Sequence, residues 1–470
     1  MTEAALRDLL RKLSDYAAAY RAGVPDRPHR PDTNYAETIA RFEAATPQAG
    51  APIEQVISEL IALSEPGLAA MTGPRFFGWV IGATEPAGMA ADWLTSAWGQ
   101  NTGNALATPA SCAAEEVAAQ WLLDLLDLPR ESSVGFVTGA TMANFTCLAA
   151  ARGEVLRRVG WDGETLGLFG APPIHIVLGE EAHSTVFSAL RYLGLGTERV
   201  VSVPVNAQGV MRPDALAAAL KPLSGPMIVI AQAGHFNSGA FDAFDEIAPM
   251  AREKGAWLHV DGAFGLWVRT APDLAHLARG VEQADSWGTD GHKWLQTPHD
   301  SGCAIVRDRD AHRRAMLIAA SYLPEGDVRH PADYVPELSR RARGFATWAM
   351  IRALGRAGIA DMVSRHCSQA RRFAQRLAAE PDIEILNEVV LNQVAVRLGT
   401  DLDPAKADAL TQRTIERVQR EGECFVGGAH WRGRQIVRIS VISSPTTDAD
   451  IDRSAEAIIS AWRNERGANS

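Results

Sequence analysis

The sequence predicts an α/β fold, a mainly parallel sheet with helices on both faces, flanked by an N-terminal helical segment and a small C-terminal α+β domain. Three observations lead there. Short apolar runs alternate with helical stretches through the middle of the chain, as in "SVGFVTG", "MIVIAQAG" and "AWLHVDGAFG". These runs are apolar at nearly every position, which suits strands buried on both faces of a parallel sheet. The chain has 470 residues, 47% of them hydrophobic and 22% charged, enough for two or three domains and a sizeable core.

Residues 1–90 read as the helical segment. "AALRDLLRKLSDYAAAYRA" and "PIEQVISELIALS" carry apolar residues at helical spacing, with a Pro-rich break at 25–31 between them. Both helices are amphipathic and precede any core unit, so they are expected to pack on another surface, such as a partner subunit.

Residues 91–335 read as the large α/β domain. "CAAEEVAAQWLLDLLDLP" is a helix stopped by Pro129. "SVGFVTG" is a strand ending in Gly139, and a helix follows from near Met142. "IHIVLGEEAHSTVFSALRYLG" reads as strand, turn and helix. "MIVIAQAG", "AWLHVDGAFG" and "SWGTDGHKW" supply three further strand units. From 336 to 470 the pattern shifts. A long helix, "ELSRRARGFATWAMIRALGRAG", leads to strand-like "VVLNQVAVRL" and "QIVRISVI", and "DADIDRSAEAIISAWRN" is a closing helix.

The net charge of -10 and pI of about 5.7 argue against nucleic acid or an anionic membrane as main partner, since both need a basic face. No apolar run approaches the ~18 residues of a membrane span. The N-terminus is charged throughout and lacks the apolar core of a signal peptide. Five scattered cysteines, Cys112, Cys147, Cys303, Cys367 and Cys424, form no CxxC pair, so neither a zinc site nor a disulfide framework is expected. No metal is expected, and a reducing cytoplasm fits best.

Ligands of such sheets sit at the carboxyl ends of the strands, and four features fall there. In "TGATMANF" a strand leads through a Gly-bearing turn into a helix, whose free N–H groups and Thr141 can hold an anion. A turn that only shapes and caps the helix reads equally well from this motif alone. In "GEEAHSTV" His183 occupies the turn before a helix, where a capping or packed histidine is the commoner case. Asp261 ends the apolar run "AWLHVD" and needs a cationic or N–H partner. An N-cap or a metal ligand are its alternatives, with His259 at i−2 but no further ligand set. Lys293, in "DGHKWLQTPHDSG", lies among aromatic and apolar residues that would depress its pKa and make it a nucleophile. A salt bridge to Asp290 or Asp300 is the alternative. An anion cradle, a stacking imidazole, a buried acid and a reactive lysine, in that order, are together what pyridoxal 5′-phosphate requires.

The order and wording of these motifs resemble the group II amino-acid decarboxylases, which are fold-type I pyridoxal phosphate enzymes. The resemblance runs from about residue 70 to 450 and includes "PRFFGWV", "ATPASCAAEEVAAQWLLDLLDLP", "HVDGAFG" and "LSRRARGFATWAMIRALG". It implies a PLP-dependent carboxy-lyase that turns an L-amino acid into its amine and CO2. Lys293 would carry the cofactor as an aldimine, Asp261 would hold the pyridine nitrogen protonated, and His183 would stack on the ring. Ala140, Thr141 and His292 would serve the phosphate end, with Ala263 and His235 also beside the cofactor. Tyr322 falls where family decarboxylases carry a mobile-loop tyrosine that reprotonates the substrate carbon. Relatives that make aldehydes commonly have phenylalanine there, so Tyr322 favours simple decarboxylation. Phe76, Phe77, Trp79 and Trp98 are candidate pocket residues and lean towards an aromatic or apolar substrate. A homodimer with shared active sites is implied as well. In one place the chain departs from the family: His235 and Phe236, in "AGHFNSGAFD", replace two threonines beside the cofactor. That leaves room for another reaction at Lys293: oxidative deamination to an aldehyde, transamination or carbon–carbon lyase chemistry.

Overall fold

The structure is a computed structural model that describes residues 1–318 and 328–467. Its centre is a seven-stranded sheet built from β1 (Ser133–Val137), β2 (His175–Gly179), β3 (Val201–Val203), β4 (Met227–Gln232), β5 (Trp257–Asp261), β6 (Ser286–Asp290) and β7 (Gly302–Val306). The order across the sheet is β1-β7-β6-β5-β4-β2-β3. Strands β6, β5, β4, β2 and β3 run parallel, and β7 runs antiparallel to both of its neighbours.

The apolar runs have a simple cause. Successive side chains of a strand point to opposite faces, and here both faces are covered. Val229, Leu258, Val260, Trp287 and Ile305 pack into one core with Leu122, Leu126 and Trp267. Ile228, Ile230, Trp257, Ala304 and Val306 pack into the other, against Cys147, Leu148 and Ala151 of the helix Ala140–Arg157.

Two strands of this sheet carry no clear sequence signal. The edge strand β3 has only three residues and is partly exposed. The antiparallel β7 follows the lysine motif without an intervening helix, so the alternation that marks the other strands is absent. The helix after β1 starts at Ala140, two residues before the expected Met142. The long C-terminal helix spans Arg343–Ala378 rather than starting near Glu337, and Gly355 (φ 63°) breaks it into two segments. Before it, Arg340 turns into the core and forms a bidentate pair with Glu115 at 2.8 and 2.6 Å. That burial holds 337–342 out of the helix.

A second, antiparallel sheet follows: β8 (Ile383–Ile385), β9 (Gln393–Leu398), β10 (Gly427–Trp431) and β11 (Arg434–Ser440), ordered β10-β11-β9-β8. Its core holds Phe77, Phe373, Val394, Val437 and Trp462. At the other end of the chain, helices Glu3–Gly23, Tyr35–Phe42 and Ile53–Ser64 leave Leu10, Tyr35, Ile39, Phe42 and Leu60 exposed. Among the described residues no helix is long and apolar enough to cross a membrane.

Candidate active site

The carboxyl ends of β2, β4, β5 and β6 and the loop between β6 and β7 meet in one place. Lys293 sits in that loop, with its Nζ 2.9 Å from Asp290 Oδ2 and 5.7 Å from the centre of the Phe264 ring. The other alternative partner, Asp300, is taken by Arg343 at 2.8 Å. The lysine turn is clamped through its backbone. Gly82 N–H donates to His292 O at 3.0 Å. Gln296 accepts from Ala83 N–H at 2.6 Å and donates to Lys293 O at 3.0 Å and to Ile442 O at 2.9 Å. Each of these bonds removes a way for the lysine to wander.

Asp261 ends β5 and is buried. It accepts from Ala263 N–H at 3.2 Å and from the Asn144 amide at 3.2 Å. Asn144 Oδ1 lies 3.0 Å from His259 Nε2, His259 Nδ1 lies 2.9 Å from Ser286 Oγ, and Trp257 Nε1 donates to Ser286 Oγ at 2.8 Å. One direction satisfies the whole chain: Trp257 to Ser286 to His259 to Asn144 to Asp261. Burial pushes the His259 imidazole down to about 3, so it is neutral and both nitrogens are used within this relay. Gly288 makes the relay possible, because a methyl there would stand 2.7 Å from Asn144 Oδ1.

His183 caps the helix Ser184–Tyr192, with its Nδ1 2.8 Å from Thr185 Oγ1. Burial lowers its pKa against the pull of Asp261, and Lys293 and Arg438 lower it further. The imidazole is therefore neutral at ordinary pH. Phe236 meets it in a T-shaped contact, with ring centres 5.6 Å apart and planes at 70°.

The helix Ala140–Arg157 points its N-terminus at the same place. Ala140 N–H donates to Asp290 Oδ1 at 2.6 Å, and His292 Nε2 is 3.7 Å from the same oxygen. Thr141 follows in the first turn. His292 stacks on His299 at 4.3 Å, and burial lowers its pKa. A methyl at Gly139 would stand 3.2 Å from the His292 ring, so the glycine lets the imidazole approach the helix end. Beside Gly291, the buried hydroxyls of Thr297 and Ser301 have no partner among the described residues. An amine, a buried carboxylate, a neutral imidazole and a helix N-terminus with spare hydroxyls suit the aldehyde, ring nitrogen, ring face and phosphate of pyridoxal phosphate.

The sequence model of the pyridoxal-dependent decarboxylase conserved domain matches residues 36–399. The chain belongs to this family. A tryptophan decarboxylase of Oryza sativa subsp. japonica is 27% identical over 93% of this chain and 90% of its own. An aromatic-L-amino-acid decarboxylase of Sus scrofa is also 27% identical, over 97% of this chain and 94% of its own. A crystal structure of Oryza sativa TDC with PLP and tryptamine superposes with a TM-score of 0.91 at 25% identity, covering 99% of each chain. The pyridoxal-dependent decarboxylase described here is thus a PLP-dependent amino-acid decarboxylase of fold type I.

Within this decarboxylase the expected aromatic residues separate. Phe76 and Phe77 are buried in packing, not in the site. Phe76 stacks on Phe425 at 4.7 Å, and Phe77 meets Phe373 edge-on at 5.3 Å in the core of the small sheet. Trp79 is 55% exposed and has a left-handed backbone (φ 51°), three residues before the clamped Gly82. Trp98 lies at the far end of the helix Pro86–Trp98, about 20 Å along its axis from the Gln296 contact. There it packs on Phe345 at 5.0 Å and lines an apolar hollow of 580 Å³ with Leu94 and Trp348. His235 is buried behind Phe236, with ring centres 4.5 Å apart. Tyr322 lies outside the described residues. Asn144 and Arg438 are additions that the sequence motifs did not disclose. Arg438 is on β11, its Nε has no partner among the described residues, and burial holds its guanidinium down to about 10, still charged at neutral pH.

Proposed function

We propose that this decarboxylase acts on an aromatic L-amino acid as a homodimer. The observation that carries the reading is the meeting at the strand ends of the Lys293 amine, the buried Asp261 carboxylate held by Asn144 and Ala263, and the helix N-terminus at Ala140. Lys293 holds the cofactor, His183 stacks on its ring, and Asp261 keeps the proton on the ring nitrogen. Ala140, Thr141 and His292 hold the phosphate, with Ala263 beside them. Bound pyridoxal phosphate supplies the electron sink that makes loss of CO2 possible. Arg438, a cation without a protein partner for its Nε among the described residues, receives the substrate carboxylate. Trp79 and Phe236 favour an aromatic side chain, in line with the tryptophan and aromatic-L-amino-acid decarboxylases it resembles. Tyr322 delivers the proton that replaces CO2.

The dimer reading rests on two unpartnered apolar surfaces. One is the set of apolar residues left exposed on the second and third helices, Ile39, Phe42 and Leu60, the other the hollow under Trp98 and Trp348. Covering both with a second copy removes them from water.

The test is a screen of L-amino acids with the PLP-loaded protein, measuring CO2 and identifying the product by mass. Release of CO2 with amine from an aromatic substrate is expected. Release only from acidic amino acids would refute the substrate class. Borohydride reduction should leave the cofactor tag on Lys293. Similarity to a 4-hydroxyphenylacetaldehyde synthase of Rhodiola rosea, 25% identical, gives aldehyde formation as the second reading. Amine from the native protein, with a shift towards aldehyde in Tyr322→Phe, decides against it.

A further inference from the structure

Glu181 stands two residues before His183, and nothing in the decarboxylation scheme uses it. Its carboxylate accepts from Trp431 Nε1–H at 2.8 Å and from Arg432 Nε–H at 2.9 Å, both at the turn between β10 and β11. Glu181 Oε2 also lies 3.1 Å from His235 Nε2. His235 Nδ1 accepts the backbone N–H groups of Asn237 and Ser238 at 3.3 and 3.2 Å, which leaves the proton on Nε2, facing Glu181. Burial pushes the Glu181 carboxyl up, but the contacts of His235, Trp431 and Arg432 outweigh it and hold the group down at about 2. The carboxylate is charged and partly buried, bonded to Trp431 and Arg432 and in close contact with His235.

The surroundings are shaped for this arrangement. Gly209 has φ 79°, and a methyl there would stand 2.7 Å from His235 Nε2 and 3.0 Å from Glu181 Oε2. The loop after β4 is stitched to its neighbours as well. Asn387 donates to Ser238 O at 2.9 Å, and Ser238 Oγ donates to Gln208 O at 2.6 Å. Phe236, next along from His235, makes the T-shaped contact with His183, whose Nδ1 is held by Thr185. A phenyl ring offers the cofactor no hydroxyl, so its effect at this place is exerted through packing.

We propose that Glu181, His235 and Phe236 are positioning residues that fix the His183 ring against the bound cofactor, and that Trp431 and Arg432 lock this set to the small sheet. The proposal rests on His183 as the ring-stacking residue. A ring held in place before the cofactor arrives loses less freedom on binding, so affinity rises without a new contact.

The experiment titrates cofactor-free protein with PLP and records affinity and the visible circular dichroism of the bound cofactor. Phe236→Ala and Glu181→Gln are each measured in the native and the His183→Ala backgrounds. In the native background each should lower PLP affinity about tenfold and weaken the dichroism, because residues acting as one unit are strongly coupled. In the His183→Ala background the same changes should cost less than about twofold, since the group they act through is gone. Phe236→Tyr keeps the ring and should bind PLP like the native protein. Equal losses in both backgrounds overturn the proposal, as does a native signal in Phe236→Ala. If His183→Ala alone leaves affinity and dichroism unchanged, the stacking role fails first and the proposal falls with it. Should Glu181→Gln not fold, Trp431→Phe removes one donor to the same carboxylate and takes its place, judged by the same comparison.

Discussion

Gly82 bears no side chain and bonds to the backbone of the lysine turn, yet Gly82→Ala should disable the enzyme. A methyl at this position would stand 2.8 Å from His292 O, 3.1 Å from Gln296 Oε1 and nearer still to Lys293 O. Ordinary carbon–oxygen contact begins near 3.4 Å, so the carbonyls on either side of the lysine must retreat by more than half an ångström. They cannot retreat freely. Gly82 N–H holds His292 O at 3.0 Å, and Gln296 holds Lys293 O at 3.0 Å. Overpacking of this kind costs about 1–3 kcal/mol of stability. A misplacement of about 1 Å at a reacting group can cost about 100-fold in rate. The expected result is a modest loss of stability in urea with a drop in kcat of about 100-fold, and a smaller fraction of Lys293 tagged by borohydride. Gly50→Ala is the control, because nothing lies within 4 Å of its added methyl. If Gly82→Ala keeps kcat within about twofold of Gly50→Ala, the clamp on the lysine turn is not what positions Lys293.

Other outcomes are expected. Asn144→Ala removes a hydrogen bond to Asp261 worth ~1.5 kcal/mol and should lower kcat about tenfold, and by orphaning His259 Nε2–H it should also lower the melting temperature. Arg340→Met leaves Glu115 charged and buried without its partner and should cost about 3–5 kcal/mol in urea unfolding, while Arg340→Met with Glu115→Leu recovers most of it. Burial raises the Asp242 carboxyl from 3.8 to about 6 against the bonds from Met211 and Gln232 N–H. The folded state therefore holds this proton after the unfolded chain has lost it. The contribution of Asp242 to stability should fall by up to ~3 kcal/mol as pH rises from about 4 to about 6 and stay flat above. Difference curves against Asp242→Asn across that window measure it, and a flat difference refutes the assignment. Arg438→Gln should raise KM for the substrate more than it alters PLP affinity, read by steady-state kinetics beside cofactor titration.

The sequence discloses Asp261 and His183 because they stand at or just past the ends of apolar runs, where this sheet places its ligands, and Lys293 because its motif follows them in order. It does not disclose Asn144. The helix that carries it is buried on most of its surface, so no polar face marks the residue as unusual. Arg438 escapes for the opposite reason. In "QIVRISVI" an arginine between apolar residues reads as the outward-facing position of a half-exposed strand. Only the tertiary structure buries that face and the Arg438 guanidinium with it. Phe77 shows the limit of reading aromatic residues. Its backbone bonds to Phe425 and Ser440, formed across more than 300 residues, commit its side chain to the small core beside Phe373. Strand β7 adds a further lesson: a hairpin-like return into a parallel sheet lacks the helix that announces every other strand.

That return has a consequence for how the enzyme acquires its colour on refolding. The lysine loop joins two neighbouring strands and closes locally. The phosphate end does not: Ala140 and Asp290 are 150 residues apart, and β1 enters the sheet only through β7. Contacts of such long range form late, after the local ones. Refolding in the presence of PLP should therefore restore tryptophan fluorescence before the cofactor's visible band. The delay between the two signals would time the moment at which the first strand of the sheet docks beside the last.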